Sequence, residues 1–171
     1  MKCPDCGFEN VSGSDECRGC GISLSHFDPQ GTEMEQSIAS HPINLLCQHP
    51  PICVTPQTSV REAVAAMCAK NLGCVLVSEP DGRLVGVFTE RDILNKVAGE
   101  PDRLDCPVSD LMTTAPVIAK GDDSIAFALQ AMAVGGYRHL PIVNAARVAV
   151  GIVSTRDILR FLCVRYARSR E

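Results

Sequence analysis

The sequence predicts a mixed α/β fold: two consecutive β-α-β-β-α units behind a small four-cysteine segment. Three observations carry this. The stretch Gly151-Ile152-Val153-Ser154-Thr155-Arg156-Asp157-Ile158-Leu159 reads as a buried strand turning directly into a helix, because apolar and β-branched residues give way to a hydroxyl that can cap free helix amides. The same pattern occurs 65 residues earlier as Gly86-Val87-Phe88-Thr89-Glu90-Arg91-Asp92-Ile93-Leu94. Two Cys-x-x-Cys-Gly turns, Cys3 to Gly7 and Cys17 to Gly21, stand near the N-terminus.

At 171 residues and 46% hydrophobic, the chain can bury one substantial core or two small ones. No apolar run approaches the ~20 residues of a membrane span, and Met1-Lys2-Cys3-Pro4 does not open a signal peptide. A cytoplasmic protein without membrane partners is the expectation. In that setting ten cysteines point to metal ligands and buried thiols rather than a disulfide framework. A net charge of −4 gives no global bias toward nucleic acid.

Two thiolates in each Cys-x-x-Cys turn lie on one tight bend with amides directed at the sulfurs, and the following glycine permits positive φ. Together the turns offer Cys3, Cys6, Cys17 and Cys20 as a tetrahedral site. A segment of this size cannot bury enough surface to fold alone, whereas structural zinc supplies about 10–16 kcal/mol of apparent binding energy in finger peptides. These residues resemble a zinc ribbon over Cys3 to Gly21. Zinc is the expected metal, and iron also suits an all-sulfur tetrahedral site. A dithiol redox pair would need a βαβ context that is missing here. Residues 1–40 carry Lys2 and Arg18 against Asp5, Glu9, Asp15, Glu16, Asp28, Glu33 and Glu35, a sum of −5. Phosphate binding requires the opposite sign, so the ribbon is expected to contact a protein partner or to be structural, with nucleic acid disfavoured. The reading divides the chain into a ribbon at 1–25, a linker at 26–40 with a short helix near 33–38, repeats at 41–100 and 105–166, and a basic, solvated tail at 167–171.

Sliding the chain by 65 residues aligns 41–96 with 106–161 without a gap, and between positions 42 and 94 thirteen of 53 pairs are identical. Each copy shows a short leading helix (43–47; 108–112), a proline-marked extended segment (51–54; 116–119) and a helix (59–70; 124–134). A strand (74–77; 139–143), a second strand (84–88; 148–153) and a closing helix (90–97; 155–164) follow.

The signature of glycine, apolar, any, Thr/Ser, any, any, Asp at the end of the last strand, in register in both copies, resembles a tandem pair of CBS (cystathionine β-synthase) domains over about three quarters of the chain. The resemblance implies one pseudo-two-fold module with two clefts for adenosine-type ligands: AMP, ADP or ATP, with S-adenosylmethionine less favoured. Physical chemistry points the same way. A helix N-terminus with a hydroxyl suits a phosphate, and a carboxylate three residues later can accept hydrogen bonds from both ribose hydroxyls. Thr89 with Asp92 and Ser154 with Asp157 have that arrangement, which is equally that of a helix capping box.

By resemblance, one cleft combines Arg138, His139, Ser154, Arg156 and Asp157 with an adenine wall of Ile52 and Leu72 from the other copy. The weaker cleft uses Thr89, Arg91 and Asp92, with Val117 and Tyr137 as its base wall. Arg138 and His139 align with Gly73 and Cys74, so charge recognition is expected to be concentrated in the first-named cleft. Tyr137 can stack on a base or serve packing, and His139 can be a core histidine. Cys47, Cys53, Cys68, Cys74, Cys106 and Cys163 lack ligand spacing and read as buried small hydrophobes; Met67 and Met132 read as core.

No base-oriented nucleophile, open catalytic metal site or Walker loop is present in the sequence, so the expected role is regulatory and not enzymatic. Nucleotide occupancy would change the setting of the two copies, and the ribbon or a regulated protein partner would read the change. The module is expected to form a homodimer through helix faces. The rival readings are a nucleic-acid-associated factor working through the ribbon and a dimerising scaffold with empty clefts.

Overall fold

The computed structural model describes residues 3, 5–11, 14–24, 33–47 and 50–168. The chain divides into two compact units, Met1–Ser40 and His41–Glu171. In the first, both cysteine turns close in the same way: Gly7 N–H donates to the Cys3 carbonyl and Gly21 N–H to the Cys17 carbonyl, with the two glycines at φ 73° and 75°. The unit has a small core, Cys3, Cys17 and Leu24. Its only helix among the described residues, α1, spans Glu33–Ser40, two residues longer than expected, and the rest of the expected linker lies outside the described residues.

The second unit contains the duplication. In the first copy, β1 (Cys53–Val54), α2 (Val60–Lys70), β2 (Cys74–Ser78), β3 (Leu84–Thr89) and α3 (Glu90–Lys96) follow in order. After β4 (Thr113–Thr114) the second copy repeats them as β5 (Ala119–Lys120), α4 (Ile125–Gly135), β6 (His139–Val143), β7 (Ala149–Ser154) and α5 (Thr155–Arg168). The strands form two sheets, ordered β1-β2-β3-β4 and β5-β6-β7. β1–β2 and β5–β6 pair parallel, the two hairpins antiparallel, with Cys74 opposite Thr89 and His139 opposite Ser154, and β4 adds antiparallel to β3. The expected leading helices are short 3-10 turns, Ile43–Leu46 and Val108–Asp110. The closing helix α5 continues through Arg168, past its expected end at 164, because no glycine or proline interrupts the run; residues 169–171 of the expected tail lie outside the described residues.

Strand β2 is buried at every position, and its alternating side chains serve two cores. Val75 and Val77 pack with Val60, Ala63, Met67 and Phe88 under α2. Cys74 and Leu76 pack with Leu84, Val87 and Val143 and the flanking Ile152, joining the two copies. That double burial explains the unbroken apolar run. Met67 and Met132 are both core, 3% exposed.

The leading turns exchange between copies. Ile43 N–H donates to the Asp123 carbonyl of the second copy, and Val108 N–H to the Thr58 carbonyl of the first. Val108 and Leu111 accordingly sit in the first copy's core. The expectation that six cysteines are buried needs correction. Cys53, Cys68 and Cys163 are exposed, and Cys47 and Cys106 only partly buried, leaving Cys74 as the one fully buried thiol of the six. Cysteine on an exposed helix face costs little, so apolar neighbours in sequence do not guarantee burial.

Candidate functional site

Each copy ends its hairpin by running the last strand straight into a helix, and both junctions have the same hydrogen bonds. Thr89 N–H (3.0 Å) and Oγ1–H (2.7 Å) donate to Asp92 Oδ2, while Asp92 N–H donates back to Thr89 Oγ1 (3.3 Å). Ser154 N–H (2.8 Å) and Oγ–H (2.5 Å) donate to Asp157 Oδ2, and Asp157 N–H to Ser154 Oγ (3.3 Å). The capping box is therefore real in both copies and employs one carboxylate oxygen in each.

The second oxygen distinguishes them. Asp92 Oδ1 accepts from Lys96 Nζ at 2.7 Å, and that ammonium also donates to the Leu111 carbonyl. Asp157 Oδ1 has no partner among the described residues, and Asp157 is less buried than Asp92. Asp92 is closed into the structure, and Asp157, which lines the second cavity, keeps one oxygen unpartnered among the described residues.

Two cavities lie at these junctions. The first, about 300 Å³, is bounded by Thr89, Arg91 and Asp92 together with Val117 and Tyr137. Arg91 Nη1 donates to the Gly136 carbonyl of the other copy at 3.0 Å. The second, about 470 Å³, is bounded by Ser154, Arg156 and Asp157 from the second copy and by Ile52 and Leu72 from the first. All twelve residues picked out from the sequence thus fall on the cleft chosen for them. Leu72 (36% exposed) and Val117 (52%) leave apolar surface available in their clefts. Tyr137 lines the first cavity and also packs on Gly135, where a Cβ would stand 2.0 Å from its Cε1.

Arg138 and His139 line the second cavity as expected and the first as well, because β6 begins at the wall between them. Burial lowers the His139 pKa below its ordinary 6.5, the Glu90 and Asp157 carboxylates act in the opposite sense, and the Arg138 and Arg156 guanidiniums reinforce the decrease.

Sequence reasoning missed Lys70 and Arg160 at the second cleft, and Glu90 at both. Arg160 was detectable one helical turn beyond Arg156. Lys70 and Glu90 were not, since their reach into a cleft depends on how the copies pack.

In the ribbon the four sulfurs lie within 4.8 Å of one another. Cys3 and Cys20 Sγ are 3.7 Å apart, Cys6 and Cys17 Sγ 3.6 Å. A tetrahedron with metal–sulfur bonds of about 2.3 Å has edges of about 3.8 Å, so the residues fit a tetrathiolate centre. Gly19 N–H (3.3 Å) and Asn10 Nδ2–H (3.4 Å) donate to Cys17 Sγ. Burial pushes the Cys17 thiol up, but the Asn10 amide and the Cys20 and Gly19 backbone amides bring it down to about 6. Asn10, which also accepts from Arg18 N–H, is a supporting residue the sequence did not reveal.

A duplicated α/β module with two clefts at mirrored strand-to-helix junctions, preceded by a four-cysteine cluster consistent with a zinc ribbon, defines the class of protein. The CBS domain family model matches residues 43–99 and again 108–164, and the chain belongs to the CBS domain family as a tandem pair. An uncharacterised 17.7 kDa protein of Acidianus ambivalens is 39% identical over 109 residues, 64% of this chain and 65% of that protein, so this chain spans just under two thirds of that relative's length. The CBS domain protein PAE2072 from Pyrobaculum aerophilum, solved with AMP, is 27% identical, with a TM-score of 0.66 over 75% of this chain and 99% of that one. The CBS domain pair of MJ0100, solved with 5′-methylthioadenosine and S-adenosyl-L-methionine, is 25% identical with a TM-score of 0.65, over 71% of this chain and 98% of that one. Among the described residues no helix is long and apolar enough to cross a membrane.

Proposed function

We propose that this chain is an adenine-nucleotide-sensing regulatory module, not an enzyme, whose second cleft is the principal nucleotide site. The observation that carries the reading is Asp157: its Oδ2 is held by Ser154 while Oδ1, without a partner among the described residues, remains an acceptor at a cavity lined by apolar Ile52 and Leu72 and by several cations. A ribose bound to Oδ1 would place its base against the apolar wall and its phosphate against Arg138, His139 and Arg156. The AMP held by PAE2072 supports adenine as the base.

Because the base wall comes from the first copy and the acid from the second, a bound nucleotide bridges the copies and favours the arrangement that fits it best. That differential contact is the signal. We assign the four-cysteine site to structural zinc and the acidic ribbon to contact with a regulated protein. A homodimer is expected through helix faces on which the equivalent Leu94 and Leu159 are 70% and 60% exposed.

Thermal unfolding with AMP, ADP, ATP and S-adenosylmethionine, with GMP as control, tests the reading. A ligand at one hundred times its Kd stabilises by about 2.7 kcal/mol, several degrees for a unit of this size. Asp157→Ala should abolish the shift. An unchanged melting temperature with every adenine ligand would overturn the proposal.

A further inference from the structure

The two clefts have a common wall. Gly73, Glu90, Arg138 and His139 line both cavities. The internal symmetry pairs Gly73 with Arg138 and Cys74 with His139, so where each copy could have supplied its own cationic donors, one contributes neither guanidinium nor imidazole and the other contributes both. The space is already taken: a Cβ on Gly73 would stand 3.0 Å from His139 Cε1 and Nε2 and 3.3 Å from Glu90 Oε2. Glu90, which aligns with Thr155, brings a carboxylate to the same junction.

The charges on either side differ. Among the described residues, Lys70, Arg138, Arg156 and Arg160 face Glu90 and Asp157 in the second cleft. The first cleft has Arg91 and Arg138 against Glu90 and Asp92, and Asp92 is already paired with Lys96. Once Arg138 is engaged from the second side, the first cleft retains Arg91 against Glu90, a neutral site.

We propose that the clefts share a single phosphate seat, so that the chain holds one phosphorylated nucleotide, in the second cleft, while the first accepts a nucleoside without phosphate. A second phosphate would meet its like charge across the junction, and Glu90 besides, with Arg91, already donating through Nη1 to the Gly136 carbonyl, as the one guanidinium left to that cleft. The apolar Val87, Val117 and Tyr137 of the first cleft still suit a purine nucleoside. This inference rests on the adenine-nucleotide reading above and goes beyond it in assigning different ligand classes to the clefts.

Isothermal titration of the full, zinc-loaded chain tests it. AMP titrated alone should bind one equivalent per chain, with any second equivalent weaker by about tenfold or more. Adenosine titrated into the AMP-saturated protein should then fill a second site. Glu90→Gln should tighten the second AMP by severalfold, and Arg138→Gln should weaken the first by about tenfold. Two AMP molecules of matching affinity, or adenosine that only competes with AMP, would overturn the shared seat while leaving nucleotide binding intact. Failure of both AMP and adenosine to bind would overturn the nucleotide reading itself and this inference with it.

Discussion

Lys96 Nζ stands 2.7 Å from Asp92 Oδ1, and the residue that repeats Lys96 in the second copy is Phe161. The side chain of Asp92 is 9% exposed and that of Lys96 37%. The duplicated acids therefore stand in different surroundings: Asp92 is paired through both oxygens, while Asp157 Oδ1 has no partner among the described residues.

Removing the ammonium tests this. Lys96→Met retains the stem and leaves Asp92 buried without its counter-charge, and should lower stability by about 1–2 kcal/mol. Urea denaturation checks it. Phe161→Leu serves as comparison, since Phe161 packs against His41 with ring centroids 5.5 Å apart and no charge is involved. A Lys96→Met midpoint equal to wild type would show that the pair contributes nothing.

Lys70 and Arg160 also line the second cavity and add to its positive charge. A ligand with more phosphates should draw more on that charge, so the double variant Lys70→Ala/Arg160→Ala should weaken ATP by about tenfold and AMP only slightly. The salt dependence of ATP binding should fall with it. Equal losses for the two ligands, measured by fluorescence competition, would refute a polyphosphate role.

His139 predicts a pH effect on stability. Its folded-state pKa lies below 6.5, chiefly through burial, against the pull of Glu90 and Asp157 and with the help of Arg138 and Arg156. The unfolded chain therefore takes up this proton first. Stability is undiminished above about pH 6.5 and is lost as pH falls from there to the lower folded-state value, by about 1.4 kcal/mol for each unit separating the two. His139→Gln should show a shallower decline between pH 7 and 5.5 in paired thermal melts. Parallel profiles would mean that the ring carries no such linkage.

The ribbon predicts one zinc per chain by elemental analysis. Chelation or Cys17→Ser should unfold the first unit, whose core of Cys3, Cys17 and Leu24 is too small to stand without the metal, and leave the signals of the second unit in place. Amide NMR spectra with and without chelator would separate the two. An unchanged first unit after complete zinc removal would exclude a structural metal.

Much of this arrangement was legible in the amino-acid order, because it rests on relationships within a few residues. A hydroxyl followed three positions later by an acid builds a capping box wherever it falls, and both Thr89–Asp92 and Ser154–Asp157 do so. Cys-x-x-Cys-Gly fixes a turn through its own amides, and a repeat of 65 residues announces an internal symmetry. What packing alone decided is long-range: the exchange of Ile43 and Val108 between copies, and the meeting of the clefts at Gly73, Glu90, Arg138 and His139. Those follow from burying both faces of β2, one under α2 and one against the other copy, and no local pattern states which side chains that second burial brings to a common wall.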